Sequence, residues 1–289
     1  MQAIDVQSLT KNFRKTKAID SVSFSVAQGE IFGFLGPNGA GKTTTIRCIM
    51  DFIRPTSGTI RLLGLDAQKQ SVELKRKIGY LSGYVRLYDR WTGIEHIAFA
   101  NKLCDVPNDA KPLIDRLNFN PSIRAKDLSS GNRQKLGLIL ALLNKPELII
   151  MDEPTNALDP LLQNSVYELL TEAQKRGATI FMSSHNLAEV DRVCTKVCII
   201  KNGKLVATES ISNLKKMRMY GVHAHFVGPV DRRQFEKIGA LITEHRNDYV
   251  TMKVKGDISP MIKLLNALPL RDLQIEHATL EDIFIEYYK

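Results

Sequence analysis

Hydrophobic and polar positions follow two different rhythms along this chain. Over residues 1–30 they alternate, with Ile4, Val6 and Leu9 followed by Val22, Phe24 and Val26 on every second or third position. That is the period of half-buried antiparallel strands. Short, continuously apolar runs then appear at Ile31–Leu35, 148–151 and 179–182. Runs of this length, bounded by turn or polar residues, fit strands buried on both faces of a parallel sheet. Helical spacing lies around them, over 41–52, 92–103, 132–144, 160–175 and 186–193. Strands alternating with helices predict an α/β fold built on a parallel sheet.

The pattern breaks at 214–220, where KKMRMYG ends a short helix. Beyond it the chain reads as strands at 222–227, 249–255 and 272–276 and helices at 231–238, 259–267 and 279–287. This predicts a small α+β domain over 218–289 behind a larger one over 1–217. No long repeat or low-complexity tract interrupts either part.

Composition narrows the class. The 289 residues are 44% hydrophobic and 25% charged, which excludes disordered and collagen-like chains. The longest apolar runs, such as 136–143, fall well short of the roughly 18–20 residues that a membrane span requires. The opening MQAIDVQSLTKNFRK lacks the apolar centre of a secretion signal, so a cytosolic chain is expected. If it works at a membrane, another chain supplies the span. The cysteines Cys48, Cys104, Cys194 and Cys198 are read as buried small apolar groups rather than a disulfide framework. The net charge of +9 is spread along the chain without a dense basic block. Phosphate ligands or an anionic membrane surface account for it as well as nucleic acid does.

After the apolar run Ile31–Leu35 come Gly36, Pro37, Asn38, Gly39, Ala40, Gly41, Lys42, Thr43 and Thr44, a full GxxxxGK[ST] match. Glycines let the backbone wrap a phosphate with consecutive N–H groups, and the following helix offers its positive end to the same anion. Lys42 would reach the β and γ phosphates, and the Thr43 hydroxyl would ligate Mg²⁺. The run 148–151 ends in Asp152 and Glu153, and ligands bind at the carboxyl ends of strands in open parallel sheets. Asp152 would hold Mg²⁺, and Glu153 would polarise an attacking water as general base. The third run ends in Ser183, Ser184 and His185, which brings a histidine toward the γ-phosphate at the same edge.

With these residues in place, the chain resembles the ATP-binding subunit of an ABC transporter over about residues 1–215. The stretch Leu128, Ser129, Ser130, Gly131, Asn132, Arg133, Gln134 is similar to the LSGGQ signature, with Ser130 for its first glycine and Asn132 for its glutamine. Ala157, Leu158 and Asp159 match the D-loop, His185 the switch histidine, and Phe13 the aromatic position expected to stack on adenine. Gly83, followed by Tyr84, stands where the family usually has the Q-loop glutamine. The resemblance implies a P-loop NTPase of ABC type, a mixed sheet with an antiparallel β subdomain and a helical subdomain over 84–140. It also implies ATP and Mg²⁺ as ligands and Glu153, His185 and Lys42 as the catalytic set. Two ATP-binding subunits would face head to tail, each ATP meeting Lys42 and Glu153 of one copy and Ser129, Ser130 and Gly131 of the other.

An integral membrane permease subunit is the further partner implied, placing the chain peripherally at the cytoplasmic face of the membrane. Leu87, Tyr88 and Trp91 form an apolar patch that either receives a membrane subunit's helix or packs inside the helical subdomain. The tail 278–286 resembles the terminal helix of exporting ABC ATPases: Thr279 with Asp282 makes a cap, and Leu280, Ile283, Phe284 and Tyr287 an apolar stripe. An exporter is therefore expected, with a regulatory or soluble partner-binding ATPase as the alternative. A nucleic-acid machine is disfavoured. No long coiled coil separates Lys42 from Ser129, and the chain carries one phosphate loop where translation members usually have two. His223 and His225 share one face of a strand, but no third ligand lies near them in the sequence.

Overall fold

The computed structural model describes residues 1–14, 16–103, 108–216 and 219–277. The chain forms two compact units, Met1–Glu209 and Ser210–Lys289.

The first unit opens with β1 (Gln2–Phe13), β2 (Thr16–Ala27) and β3 (Ile31–Leu35). Helix α1 (Lys42–Ile49) precedes β4 (Ser57–Leu62) and β5 (Leu65–Asp66), and α2 (Ser71–Lys77) runs into β6 (Ile78–Leu81). Helices α3 (Gly93–Lys102), α4 (Lys111–Arg116) and α5 (Ser130–Leu142) come next, with a 3-10 turn at Ala125–Asp127. The unit closes with β7 (Leu148–Asp152), α6 (Pro160–Lys175), β8 (Thr179–Ser184), α7 (Leu187–Val193), β9 (Lys196–Lys201) and β10 (Lys204–Ser210).

Two sheets organise it. One is antiparallel, ordered β2-β1-β4-β5; the other is ordered β10-β9-β3-β8-β7-β6, with β9, β3, β8, β7 and β6 parallel. The β9–β10 turn needs two left-handed residues, which Asn202 (φ 50°) and Gly203 (φ 75°) supply. The sheets share one core, in which Phe24 of β2 meets Phe32 and Phe34 of β3 and Phe181 of β8 at 5.4–5.9 Å between ring centres. Each fully buried aromatic of this kind contributes about 1.5–3 kcal/mol. On β6, a Cβ at Gly79 would sit 2.0 Å from the Ala141 carbonyl oxygen, so only glycine lets α5 lie this close to the strand.

Helix starts are set by local chemistry. Thr92 and Glu95 form a reciprocal capping box on α3, and the Asp159 carboxylate accepts the Leu162 N–H to cap α6. Arg116 at the end of α4 grips α6 twice, with Nη1 on Glu172 and Nη2 on Glu168, each at 2.7 Å. The expected apolar patch is partly internal: Trp91 packs on Tyr88 (4.5 Å), His96 and Phe99 (both 5.4 Å). Tyr88 nonetheless stays 60% exposed.

Strands β4, β5, β6, β9 and β10 lay outside the sequence reading. The edge strand β6 (IGYL) is only four residues long, whereas β9 (KVCIIK) carries an apolar run with polar bounds like the three read as buried strands. Cys48, Cys194 and Cys198 are buried free thiols, and burial pushes Cys48 up to about 11 and Cys198 to about 12. Cys104 lies outside the described residues.

The second unit holds α8 (Ile211–Lys216), β11 (Met219–Phe226), α9 (Arg233–Lys237), β12 (Leu241–Arg246), β13 (Tyr249–Lys255), α10 (Ser259–Asn266) and β14 (Leu270–His277). Its sheet is ordered β12-β13-β11-β14, antiparallel throughout. From β11 onward this is the split β-α-β-β-α-β arrangement. Val222, Ala224, Phe226, Val250 and Met252 meet Phe235 of α9 and Met261 and Leu265 of α10 in its core. Strand β12 escaped the sequence reading because it is almost wholly exposed and shows no apolar alternation. His223 lies 3.4 Å from Glu276, and His225 hydrogen-bonds Asp248 at 2.9 Å. Among the described residues no group of three metal-ligating side chains converges, and no helix is long and apolar enough to cross a membrane. The expected helix at 279–287, with Thr279, Leu280, Asp282, Ile283, Phe284 and Tyr287, lies outside the described residues.

Candidate functional site

Strand register assembles the site. Leu35 pairs with Ser184, and Asp152 pairs with Ser183, so the carboxyl ends of β3, β8 and β7 lie side by side. The loop from Gly36 to Gly41 leaves β3 and turns into α1. Its glycines answer separate demands. A Cβ on Gly36 would come 2.4 Å from the Ile200 carbonyl oxygen; Gly39 and Gly41 have φ of 79° and 108°. Pro37, Asn38 and Gly39 are exposed at the loop tip, while Ala40 is buried and its carbonyl accepts the Gly203 N–H. Thr44 lies on the first turn of α1, half-buried.

Lys42 is 6% exposed and donates to the carbonyls of Gly36 (2.6 Å) and Pro37 (3.3 Å). The same ammonium lies 3.3 Å from Oε1 of Glu153. Asp152 is buried with both oxygens engaged: Oδ2 accepts the Thr43 hydroxyl at 2.7 Å, and Oδ1 accepts the Ser183 hydroxyl. Thr43 and Asp152 thus offer two hard oxygen donors side by side, the chemistry that Mg²⁺ prefers.

Glu153 sits in the left-handed region at φ 52°, a conformation that costs about 1–3 kcal/mol and is retained where surroundings enforce it. The enforcing contacts are visible. Its N–H points at the carbonyl and hydroxyl oxygens of Ser183, both at 3.2 Å, while Gln134 of α5 donates to the carbonyls of Glu153 and Pro154. The carboxylate consequently faces two cations or donors, Lys42 on one oxygen and His185 Nδ1 on the other at 2.7 Å. An ionised carboxylate only accepts, so this contact is a hydrogen bond in the tautomer with the proton on Nδ1.

Ser129 caps α5 by accepting the Asn132 N–H at 3.3 Å. Ser129 and Ser130 are exposed. Gly131 packs on the 157 loop: a Cβ there would meet the Ala157 carbonyl at 2.8 Å, and Ala157 itself has φ 61°. Phe13 is 47% exposed with the Lys11 ammonium 5.1 Å from its ring centre. It pairs with Thr16 at the tip of the β1–β2 hairpin, whose Ala18 carbonyl would lie 2.8 Å from a Cβ on Gly41. The hairpin therefore returns along the phosphate loop.

Gly83 lines the other flank. A cavity of about 900 Å³ runs from Thr43, Asp152 and Glu153 past Gly83 to Arg47, Tyr80 and Leu140. Burial, with the Asp152 charge second, pushes the Tyr80 phenol up to about 12. Sequence reasoning missed Ser183, Gln134 and Glu189. Their place at the site depends on strand register and helix packing, and only the SSH triplet hinted at the first.

Comparison with known proteins identifies the family. A family model described as ABC transporter matches residues 19–156. Nod factor export ATP-binding protein I of Neorhizobium galegae is 30% identical, over 98% of this chain and 84% of its own length. Methionine import ATP-binding protein MetN 2 of Shouchella clausii is 34% identical over 90% of this chain and 77% of its own. A solved ATP binding subunit of an ABC transporter superposes with a TM-score of 0.69 at 28% identity, over 74% of this chain and 92% of that one. The chain thus belongs to the ABC transporter family, as an ATP-binding subunit with the ATPase fold.

Proposed function

We propose that the chain is the motor subunit of an exporter, binding Mg-ATP at the phosphate loop and hydrolysing it to drive a separate membrane permease. The observation that carries this reading is the charge cluster at the strand ends, Lys42 and His185 on the two oxygens of Glu153 beside the Thr43–Asp152 pair. When the phosphates of ATP reach the loop, Lys42 exchanges its carbonyl and Glu153 contacts for phosphate oxygens. Glu153 then accepts a proton from a water that attacks the γ-phosphorus, while the bond to the β–γ bridging oxygen breaks and ADP leaves. His185 keeps the Glu153 carboxylate oriented and presents its second nitrogen to the γ-phosphate. Thr43 and Asp152 would hold Mg²⁺, which when bound would neutralise phosphate charge.

Ser129, Ser130 and Gly131 would cap the γ-phosphate of a second copy, with the N-terminus of α5 facing the anion. Phe13 is the adenine-stacking residue. The permease docks on the groove of about 440 Å³ lined by Leu87, Tyr88, Phe99 and Leu103, beside the exposed Tyr84. An apolar patch rimmed by polar groups marks such an interface. Residues 1–217 form the ATP-binding domain with 84–140 as its helical part, and 218–289 form an accessory domain. Export is favoured over import because the relative named for export aligns with 98% of this chain, against 90% for the relative named for import. Nucleic acid is not among the proposed partners.

The test is the solution mass of Glu153→Gln protein with and without Mg-ATP. That substitution removes the base and keeps the nucleotide. Doubling of the mass on adding Mg-ATP, with loss of turnover, is the expected result; full turnover by the variant would overturn the assignment of the base.

A further inference from the structure

Glu189 is a carboxylate in the first turn of α7 with only 2% of its surface exposed. Its inward neighbours on that helix, Val190 and Val193, are apolar. A charge buried at such a position costs several kcal/mol unless its oxygens are bonded. Both are: Oε1 accepts the Thr155 hydroxyl at 2.9 Å, and Oε2 accepts the Ser184 hydroxyl at 2.6 Å. These partners are not arbitrary. Thr155 is two residues beyond Glu153, and Ser184 immediately precedes His185.

The network continues on both sides. Ser184 Oγ also accepts the Asn186 N–H at 2.9 Å, and the Thr155 carbonyl accepts the Leu158 N–H at 3.2 Å. One buried carboxylate therefore joins the turn that bears Glu153, the loop that runs on to Asp159, and the strand end that bears His185. In front of this joint the Glu153–His185 contact spans 2.7 Å.

We propose that Glu189 is a positioning residue for ATP hydrolysis, tying the segment behind Glu153 to the segment before His185 so that base and histidine stay in register. The proposal rests on the assignment of Glu153 and His185 given above. Burial holds the pKa of this carboxyl above the usual carboxylate range, and the Ser184 and Thr155 hydroxyl donors offset part of that rise. An apolar side chain at 189 would fill the space but would hold neither hydroxyl, and the two segments would lose their common anchor. Displacing a catalytic group by about 1 Å costs up to about a hundredfold in rate.

The experiment is a double-mutant cycle on ATP turnover with Glu189→Gln and His185→Ala. Glutamine keeps the shape and one acceptor oxygen but turns an NH₂ toward a hydroxyl that needs an acceptor. The expected result is a kcat about tenfold lower for folded Glu189→Gln, with KM for ATP within about twofold. In the His185→Ala background, Glu189→Gln should add less than about twofold, because the alignment it maintains is already gone. A general packing defect would instead multiply equally in both backgrounds, and that outcome, or an unchanged kcat, overturns the proposal. Should Glu189→Gln fail to fold, Thr155→Val and Ser184→Ala carry the same cycle, each removing one donor. Full turnover by His185→Ala alone would strike the underlying assignment instead, which separates the two failures.

Discussion

Gly83 lies against Asp152, close enough that a Cβ on the glycine would come 3.1 Å from the carboxylate Oδ2 and 3.3 Å from its Cγ. The absence of a side chain here reads from sequence as a lost glutamine. The geometry gives it another meaning, a close approach of backbone to carboxylate. Restoring glutamine should therefore harm the site. Gly83→Gln is expected to cost about 1 kcal/mol of alignment at Asp152, or roughly fivefold in ATPase rate, in line with overpacking at a filled position. Steady-state hydrolysis at saturating Mg-ATP checks this; a rise in rate would refute it.

Gly131 has a similar tight contact at the start of α5, 2.8 Å from its Cβ position to the Ala157 carbonyl. Backbone cannot yield as a flexible side chain can. Gly131→Ala is expected to push the start of α5 off the 157 loop, lowering ATPase by about tenfold while the melting temperature moves by only a few degrees. Parallel turnover and thermal scans would decide it, and a wild-type rate would count against the contact.

Gly79→Ala tests the fold rather than the chemistry. With 2.0 Å between its Cβ position and the Ala141 carbonyl, α5 or β6 must shift bodily. A loss of at least about 3 kcal/mol in urea unfolding is expected, at the upper end of overpacking costs.

The alkaline limb of stability should carry the signature of Cys48. Burial raises its thiol from 9.0 to about 11 in the folded chain. The neutral thiol is favoured by folding, so its contribution is intact below pH 9 and is lost as pH rises from 9 through 11. Denaturation midpoints across that window should fall, and Cys48→Ala should flatten the fall. The same shift keeps the thiolate scarce at about pH 8, so native protein should label slowly with iodoacetamide at Cys48.

How much of this could be read from the residues differs by element. Ile31–Leu35, Leu148–Asp152 and Thr179–Ser184 announced themselves as apolar runs. Each run gives way to polar or charged residues at its carboxyl end, and the parallel register brings Lys42, Thr43, Asp152, Glu153 and His185 together. Edge strands were not. β6 is a four-residue strand of alternating half-buried and buried positions, and β12 is almost wholly exposed, so neither shows a distinct apolar run. Ser183 and Glu189 were illegible for a different reason. A serine before a histidine and a glutamate on a short helix are ordinary until register places one on Asp152 and packing buries the other. Gly83 was legible as a departure from the family pattern, but a missing side chain carries no record of what stands opposite it.

The double grip of Arg116 on α6 has a mechanical reading. That helix holds 16 residues, a rod about 24 Å long by its rise per residue. Its far end is fastened at Asp159, whose carboxylate fixes the first turn; Glu168 and Glu172 take hold of Arg116 toward the other end. Two parallel anchors one turn apart resist both sliding and pivoting at the joint. One guanidinium on two carboxylates a turn apart thus joins α4 to α6, and the opposite end of the same helix is capped by the residue that closes the 157–159 loop.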